Sequence, residues 1–155
     1  MNYWMAETGN LSDCHEPLFQ LIERTAKRGI TTAKDVYHLN GWVSHHNLDI
    51  WGHSSPVGHF GQDENPCTYS MWPMSSGWLC SHLWEHYRYT LDREFLREKA
   101  FPLIRGAVEF YLGILWCLMT DTSSQLHLLR RKIHLQPRIT VSIVLPLVRQ
   151  WIAVF

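Results

Sequence analysis

The sequence predicts an all-α chain, on three observations. Apolar residues recur at i, i+3 and i+4 from 18 to 25, from 79 to 87 and from 101 to 115. Helix-start residues stand ahead of helical runs at Asp13 and Asp92. No alternating strand pattern interrupts the chain before about residue 118.

The elements follow in order. Asp13, with Glu16 three residues on, reads as a capping box. Leu18, Leu21, Ile22 and Thr25 then keep helical spacing, and Gly29 is expected to close the helix. A second helix is expected from Thr31 or Thr32, burying Val36 and Leu39 and ending at Asn40-Gly41, so that the two form an antiparallel pair. Residues 41–75 are rich in Gly, His, Asn, Ser and Pro and hold no period. A loop of that length inside a compact domain usually carries function.

Residues 78–92, WLCSHLWEHYRYTLD, predict an amphipathic helix. Leu79, Leu83, Trp84 and Tyr87 make its expected core face, and Trp78, His82, Glu85 and Tyr89 make a second stripe. Asp92 is expected to cap a short helix through about Lys99, and Pro102 marks a new start or a kink. Phe101, Ile104, Val108, Tyr111, Leu112 and Leu115 form the last core stripe.

The totals exclude several classes. One domain is expected from 155 residues. Lys+Arg and Asp+Glu are both 14, so no global charge points to nucleic acid or to an acidic surface. Apolar residues make 46% of the chain, which argues against intrinsic disorder. Cys14, Cys67, Cys80 and Cys117 suit neither a zinc module nor a disulfide scaffold and fix no compartment. Residues 1–10 hold no basic start and no apolar run. The apolar stretch from Val141 to Phe155 is short and broken by Pro146, Arg149 and Gln150, which argues against a membrane span.

Eight Trp and ten His favour a site that meets a polar ring such as a sugar, although large cores also use Trp. Glu85 has two readings at this point. An acid among aromatics, one turn from a histidine, is suited to protonating a glycosidic oxygen, because apolar neighbours hold a carboxyl protonated. The same residue can simply pair with Arg88 on a wet helix face. In the loop, His45, His46, Asn47, Asp49 and His53, flanked by Trp42 and Trp51, read either as a rim for sugar hydroxyls or as a segment that satisfies its own backbone. A metal is not expected there, since adjacent histidines rarely reach one ion and no H-E-x-x-H spacing is present. Neither a G-x-S-x-G frame nor a phosphate loop occurs.

The segments MNYW (1–4), NLSDCHEPLFQLIER (10–24), GWVSHHNLDIWG (41–52) and the run from Trp72 to Leu112 resemble the catalytic domain of glycoside hydrolase family 95, the α-L-fucosidases, over about residues 1–117. The resemblance implies an incomplete piece of an (α/α)6 toroid, built of helical hairpins and a long functional loop. It implies an inverting α-L-fucosidase acting on terminal α-1,2-linked fucosides or related hexosides. The partner would be an oligosaccharide or glycan, with no cofactor, metal, nucleic acid or membrane. Carried over by motif, Glu85 in L-W-E-H-Y is the general acid. His45, His46, Asn47, Asp49 and Trp51 line the sugar pocket, with Trp78 beside them. Glu85 is therefore expected to face the 45–51 segment across a hollow ringed by indoles. In the family an N-x-N pair just before M-N-Y-W, helped by a distant downstream aspartate, directs the attacking water, and these 155 residues contain no such pair. Met5 stands where the family usually has proline. The isolated chain is therefore expected to be inactive. The alternative is a small helical carbohydrate-binding or scaffold module without chemistry.

From about residue 118 the character changes to a basic cluster, Arg130-Arg131-Lys132, and a β-branched run. TDTSSQLHLLRRKIH (120–134) can be encoded by codons that read, from the third base, as the family's continuation GYLVTAPSTSPENT. Residues 118–155 are accordingly expected to be an out-of-frame translation. The uncharged window from Ile139 to Leu145 is expected to be prone to aggregation.

Overall fold

The computed structural model describes residues 2–57 and 70–120, with backbone alone from 118. The tail from 121 onward, including its basic cluster and the 139–145 window, lies outside the described residues. Among the described residues every regular element is helical. They are α1 (Met5–Thr8), a 3-10 turn (Ser12–His15), α2 (Glu16–Thr32), α3 (Ser75–Thr90), α4 (Arg93–Phe95) and α5 (Phe101–Thr120).

Helix α2 starts two residues later than the capping-box reading places it, with His15 rather than Asp13 at the N-cap position. Asp13 lies in the 3-10 turn, and no side chain caps the helix end. Pro17 sits in the first turn, where its missing N–H costs nothing. Glu16 turns outward instead and meets Lys99 Nζ at 3.0 Å. The buried face is Leu18, Phe19, Ile22, Thr25, Ala26, Gly29 and Thr32.

The expected antiparallel pair is not found. Helix α2 runs through Gly29 and continues as a π turn, Ala33–Tyr37, to a left-handed His38 at φ 56°. Gly29 is small because the loop crosses it, rather than to end a helix. Val43 N–H donates to Gly29 O at 3.3 Å, and a Cβ on Gly29 would lie 2.6 Å from Val43 O. Ala33 and Tyr37 are buried, whereas Val36, expected inside, is exposed. Leu39 is partly buried, as expected of it.

The loop is anchored at its start by α5. Gly41 has φ +83°, and a Cβ there would fall 2.1 Å from Gly106 O. Trp42 follows, 2% exposed, with its indole N–H donating to Leu103 O at 2.7 Å. Trp42 is thus a core residue that ties the loop to α5, and it is not available as a stacking surface.

The core face of α3 is Ser76, Gly77, Cys80 and Leu83, so the expected stripe is displaced. Leu79, Trp84 and Tyr87 are only partly buried. Small residues carry the contact because Tyr111 of α5 reaches into it. Its hydroxyl bonds Ser76 Oγ at 2.7 Å, accepts from Gly77 N–H at 2.8 Å and donates to Pro73 O at 3.1 Å. Such satisfaction is what allows a phenol to be buried.

Asp92 caps α4 as expected, accepting from Glu94 N–H at 2.9 Å and Phe95 N–H at 3.0 Å. Asp92→Ala should cost about 1 kcal/mol, read as a lower urea midpoint with an unchanged slope. Beyond α4 a π turn, Leu96–Ala100, leads into α5 without a break, so Pro102 lies within one continuous helical run. The buried stripe of α5 is Ile104, Ala107, Phe110, Tyr111 and Ile114, while Leu112, expected inside, is half exposed. The run Arg93–Cys117 is long and apolar enough to cross a membrane by length and composition. Its buried face is used inside this fold, Tyr111 against α3 and Phe110 edge-on to Tyr37 at 5.2 Å.

Candidate active site

The start of the chain and α3 enclose a depression of about 240 Å³. Tyr3, Trp4, His82, Glu85 and Tyr89 are among its walls, and Glu7 and His15 lie behind them. Helical spacing places His82, Glu85 and Tyr89 on one side of α3, as the second stripe expects. Glu85 is not enclosed by apolar groups. Its side chain is 43% exposed and accepts from Arg88 Nη1 at 2.8 Å, one turn on. The wet-face pairing weighed for it is therefore present.

Behind the depression lies a buried carboxylate. Glu7 Oε1 accepts from His15 Nδ1 at 2.6 Å and from His86 Nδ1 at 2.7 Å, and Oε2 accepts from Ser12 Oγ at 2.7 Å. Burial acts to raise the Glu7 pKa, but the hydrogen bonds from Ser12, His15 and His86 outweigh it and hold the carboxyl below its ordinary 4.5. His15 is stacked on Tyr3 at 5.6 Å and on Phe19 at 4.8 Å. Its Nε2 meets His82 Nδ1 at 3.1 Å. Burial, with His15 close by, pushes the His82 pKa below 6.5, against a smaller opposite pull from Glu85.

Glu7, His15 and His86 are also the donor set most capable of holding an ion among the described residues, their ligand atoms lying within 4.8 Å of one another. The spacing is that of hydrogen bonds. Ligand atoms around a tetrahedral zinc stand about 3.3 Å apart, whereas the two Glu7–His contacts are 2.6 and 2.7 Å. The 45–53 histidines do not join this group.

The 45–51 segment meets α3 at its other end. Ser75 Oγ, in the first turn of α3, donates to His45 O at 2.6 Å. Glu85 is ten residues further along α3, about 15 Å at 1.5 Å per residue. The hollow expected to join Glu85 to this segment is thus not formed by direct contact among the described residues. His45 is 1% exposed, accepting from Tyr37 Oη at 2.5 Å and donating from Nδ1 to Ser54 O at 2.6 Å. Burial pulls its pKa down to about 4, so it is a neutral anchor beneath the loop rather than a group on its surface.

His46, Asn47, Asp49 and Trp51 are exposed. His46 Nδ1 faces Asn47 Oδ1 at 3.1 Å. Asp49 Oδ1 accepts from Trp51 N–H at 2.9 Å and His53 N–H at 2.8 Å, and these bonds, the His53 one first, lower its pKa. Asp49 thereby shapes the turn that holds the Trp51 indole outward, 61% exposed.

Indoles link the two regions. His46 N–H donates to Ser70 O, two residues before Trp72. Trp72 lies edge-on to Trp78 at 6.4 Å, and Trp78 is stacked with Trp4 at 6.3 Å. Trp78 thus stands at the Glu85 end, through Trp4. Sequence reasoning did not single out Glu7, His15, His86, Trp4 or Trp72 for the site. The one local signal was His82 and His86, a turn apart on a helix whose other face is buried.

Comparison with known proteins agrees with the sequence motifs. The profile of the glycosyl hydrolase family 95 catalytic domain matches residues 1–128, past the boundary at 117 drawn from the motifs. Alpha-L-fucosidase 2 of Arabidopsis thaliana is 44% identical over 112 residues, covering 72% of this chain and 13% of that protein. A probable alpha-fucosidase A of Aspergillus niger is 29% identical over 115 residues, covering 73% of this chain and 14% of the relative. A protein of the same description from Aspergillus oryzae is 35% identical over 69 residues, covering 44% of this chain and 9% of its own length.

Proposed function

Because this chain belongs to the glycosyl hydrolase family 95 catalytic domains, we propose that it carries the proton-donating side of an inverting α-L-fucosidase site, with Glu85 as the general acid. The substrate is a terminal α-1,2-linked fucoside, or a related hexoside, of an oligosaccharide. One observation carries the reading: Glu85 shares its depression with Tyr3 and Trp4 of the M-N-Y-W motif. In the family the water-holding asparagine pair directly precedes that motif. A pair joined there arrives at the depression that holds the acid. Acid and water then work on the same glycosidic bond from opposite sides, as inversion requires.

The pairing with Arg88 does not exclude this role. An exposed ion pair is worth only about 0–1 kcal/mol, so a bound sugar can displace it. Trp4, Trp78 and Trp72 offer flat faces for sugar rings. His46, Asn47, Asp49 and Trp51 form the far rim, and His45 holds that rim from beneath. Helices α2, α3 and α5 are members of an (α/α)6 toroid that these elements do not close by themselves. The tail from about 118 is, on the same reading, out of frame and without a selected role.

The 155-residue chain contains no N-x-N pair and spans 13–14% of the two relatives that match most of it. Alone, it should release no fucose from an α-1,2-fucoside above the uncatalysed rate. Turnover by the purified chain that disappears in Glu85→Gln would disprove this inactivity while supporting Glu85 as the acid. Turnover unaffected by Glu85→Gln would remove Glu85 from the mechanism.

A further inference from the structure

We propose that Glu7, acting through His15, holds His82 in its Nδ1–H tautomer, so that His82 Nε2 presents a hydrogen-bond acceptor to a sugar hydroxyl in the depression beside Glu85. The identity of the ligand rests on the fucosidase reading, but the tautomer lock does not.

The lock follows from which atoms can donate. Glu7 is ionised and can only accept, so the contact at 2.6 Å requires a proton on His15 Nδ1. The contact at 2.7 Å requires the same of His86 Nδ1. With its proton on Nδ1, His15 as the neutral imidazole carries a lone pair at Nε2. That lone pair meets His82 Nδ1 at 3.1 Å, so the proton between them belongs to His82. A neutral imidazole with Nδ1–H has a lone pair at Nε2. That atom makes no hydrogen bond to the described residues, and its ring lines the depression one helical turn before Glu85. A sugar hydroxyl is a donor of the right kind. The arrangement turns a histidine that is otherwise free to swap tautomers into a fixed acceptor. Glu7 and His15 are positioning residues, and His82 is the group that touches the ligand.

The test is nitrogen-15 NMR of the imidazoles in the full chain near pH 8, first without ligand and then with L-fucose. The expected spectrum has His15 and His82 both protonated at Nδ1 and bare at Nε2, and L-fucose shifts the His82 Nε2 resonance. A proton on His82 Nε2 in the ligand-free chain would overturn the lock, whatever the sugar does. If L-fucose moves the Trp4 and Tyr89 signals but leaves His82 Nε2 in place, the acceptor role is overturned. If L-fucose moves no signal of the depression, the fucoside reading and the hydroxyl role fall together, and the tautomer result separates that failure from failure of the lock. In His15→Phe the His82 tautomers should mix. In His15→Gln, whose amide can donate to Glu7 and accept from His82, the Nδ1–H form should persist. Equal tautomer ratios in these two variants would also overturn the lock. The wild-type spectrum decides the matter should either variant fail to fold.

Discussion

Replacing Glu7 with alanine should lower stability by about 3 kcal/mol, since a buried donor left without its acceptor costs about 1–3 kcal/mol and three donors share this carboxylate. Three donors converge on that carboxylate, from Ser12, His15 and His86. Without it they lose their common acceptor, His15 between Tyr3 and Phe19 and His86 against Phe95. The donors come from two parts of the chain, Ser12 and His15 in the 3-10 turn that leads into α2 and His86 in α3, so the loss loosens α1 from both. Glu7→Gln keeps an acceptor oxygen and should lose less. Acidity gives an independent check. The folded-state pKa of Glu7 lies below its ordinary 4.5, so its contribution is complete above that pH and disappears as the pH falls through the folded value. The gap between wild type and Glu7→Ala in urea should therefore be widest near pH 7 and narrow below pH 4.5. An unchanged midpoint for Glu7→Ala at neutral pH would show that the carboxylate does not hold these elements together.

The second large effect concerns chemistry, and it calls for a complete catalytic domain. A chimera serves, in which the 112 matched residues of the Arabidopsis relative are replaced by those of this chain. In that chimera Glu85→Gln should reduce kcat on an α-1,2-fucoside by about 10²- to 10⁴-fold, the usual worth of a positioned general acid. KM should change little, because the amide keeps the shape and the loss falls on the transition state. Stability should move by less than about 1 kcal/mol, since the one ion pair removed, to Arg88, is exposed. A rate within a few-fold of the parent would exclude Glu85 as proton donor.

The helices were legible in the sequence where long apolar periods specify them, and Asp92 was legible as a cap because its chemistry is local. Their faces were less so. Ser76, Gly77 and Cys80 are buried in α3 because the hydroxyl of Tyr111, some 35 residues later, needs their small side chains and backbone N–H groups. A periodicity reading gives weight to Leu79, Trp84 and Tyr87 instead. Gly29 looked like a helix end because glycine often is one. Its actual constraint is the passage of Val43 over the helix, a tertiary contact that no local pattern encodes.

The same limit applies to the candidate site. Glu85, His82 and Tyr89 could be placed on one stripe because a single helix carries them. Glu7, His15 and His86 are joined across 79 residues, so no period or spacing links the acid to its partners. The loop histidines illustrate the converse. His45 and His46 are neighbours in sequence, yet one is sealed beneath the loop and the other faces outward. Adjacent residues of an extended chain point to opposite sides.

The most direct trial of Glu85 as the proton donor is to vary the leaving group in the chimera. An α-L-fucosyl fluoride loses fluoride with little need of a proton, whereas the α-1,2-linked disaccharide needs its oxygen protonated as it departs. If Glu85 supplies that proton, Glu85→Gln should act on the fluoride at close to the parent rate while losing about 10²-fold or more on the disaccharide. Equal losses on both substrates would mean that Glu85 supports the site in some other way and donates nothing to the leaving oxygen.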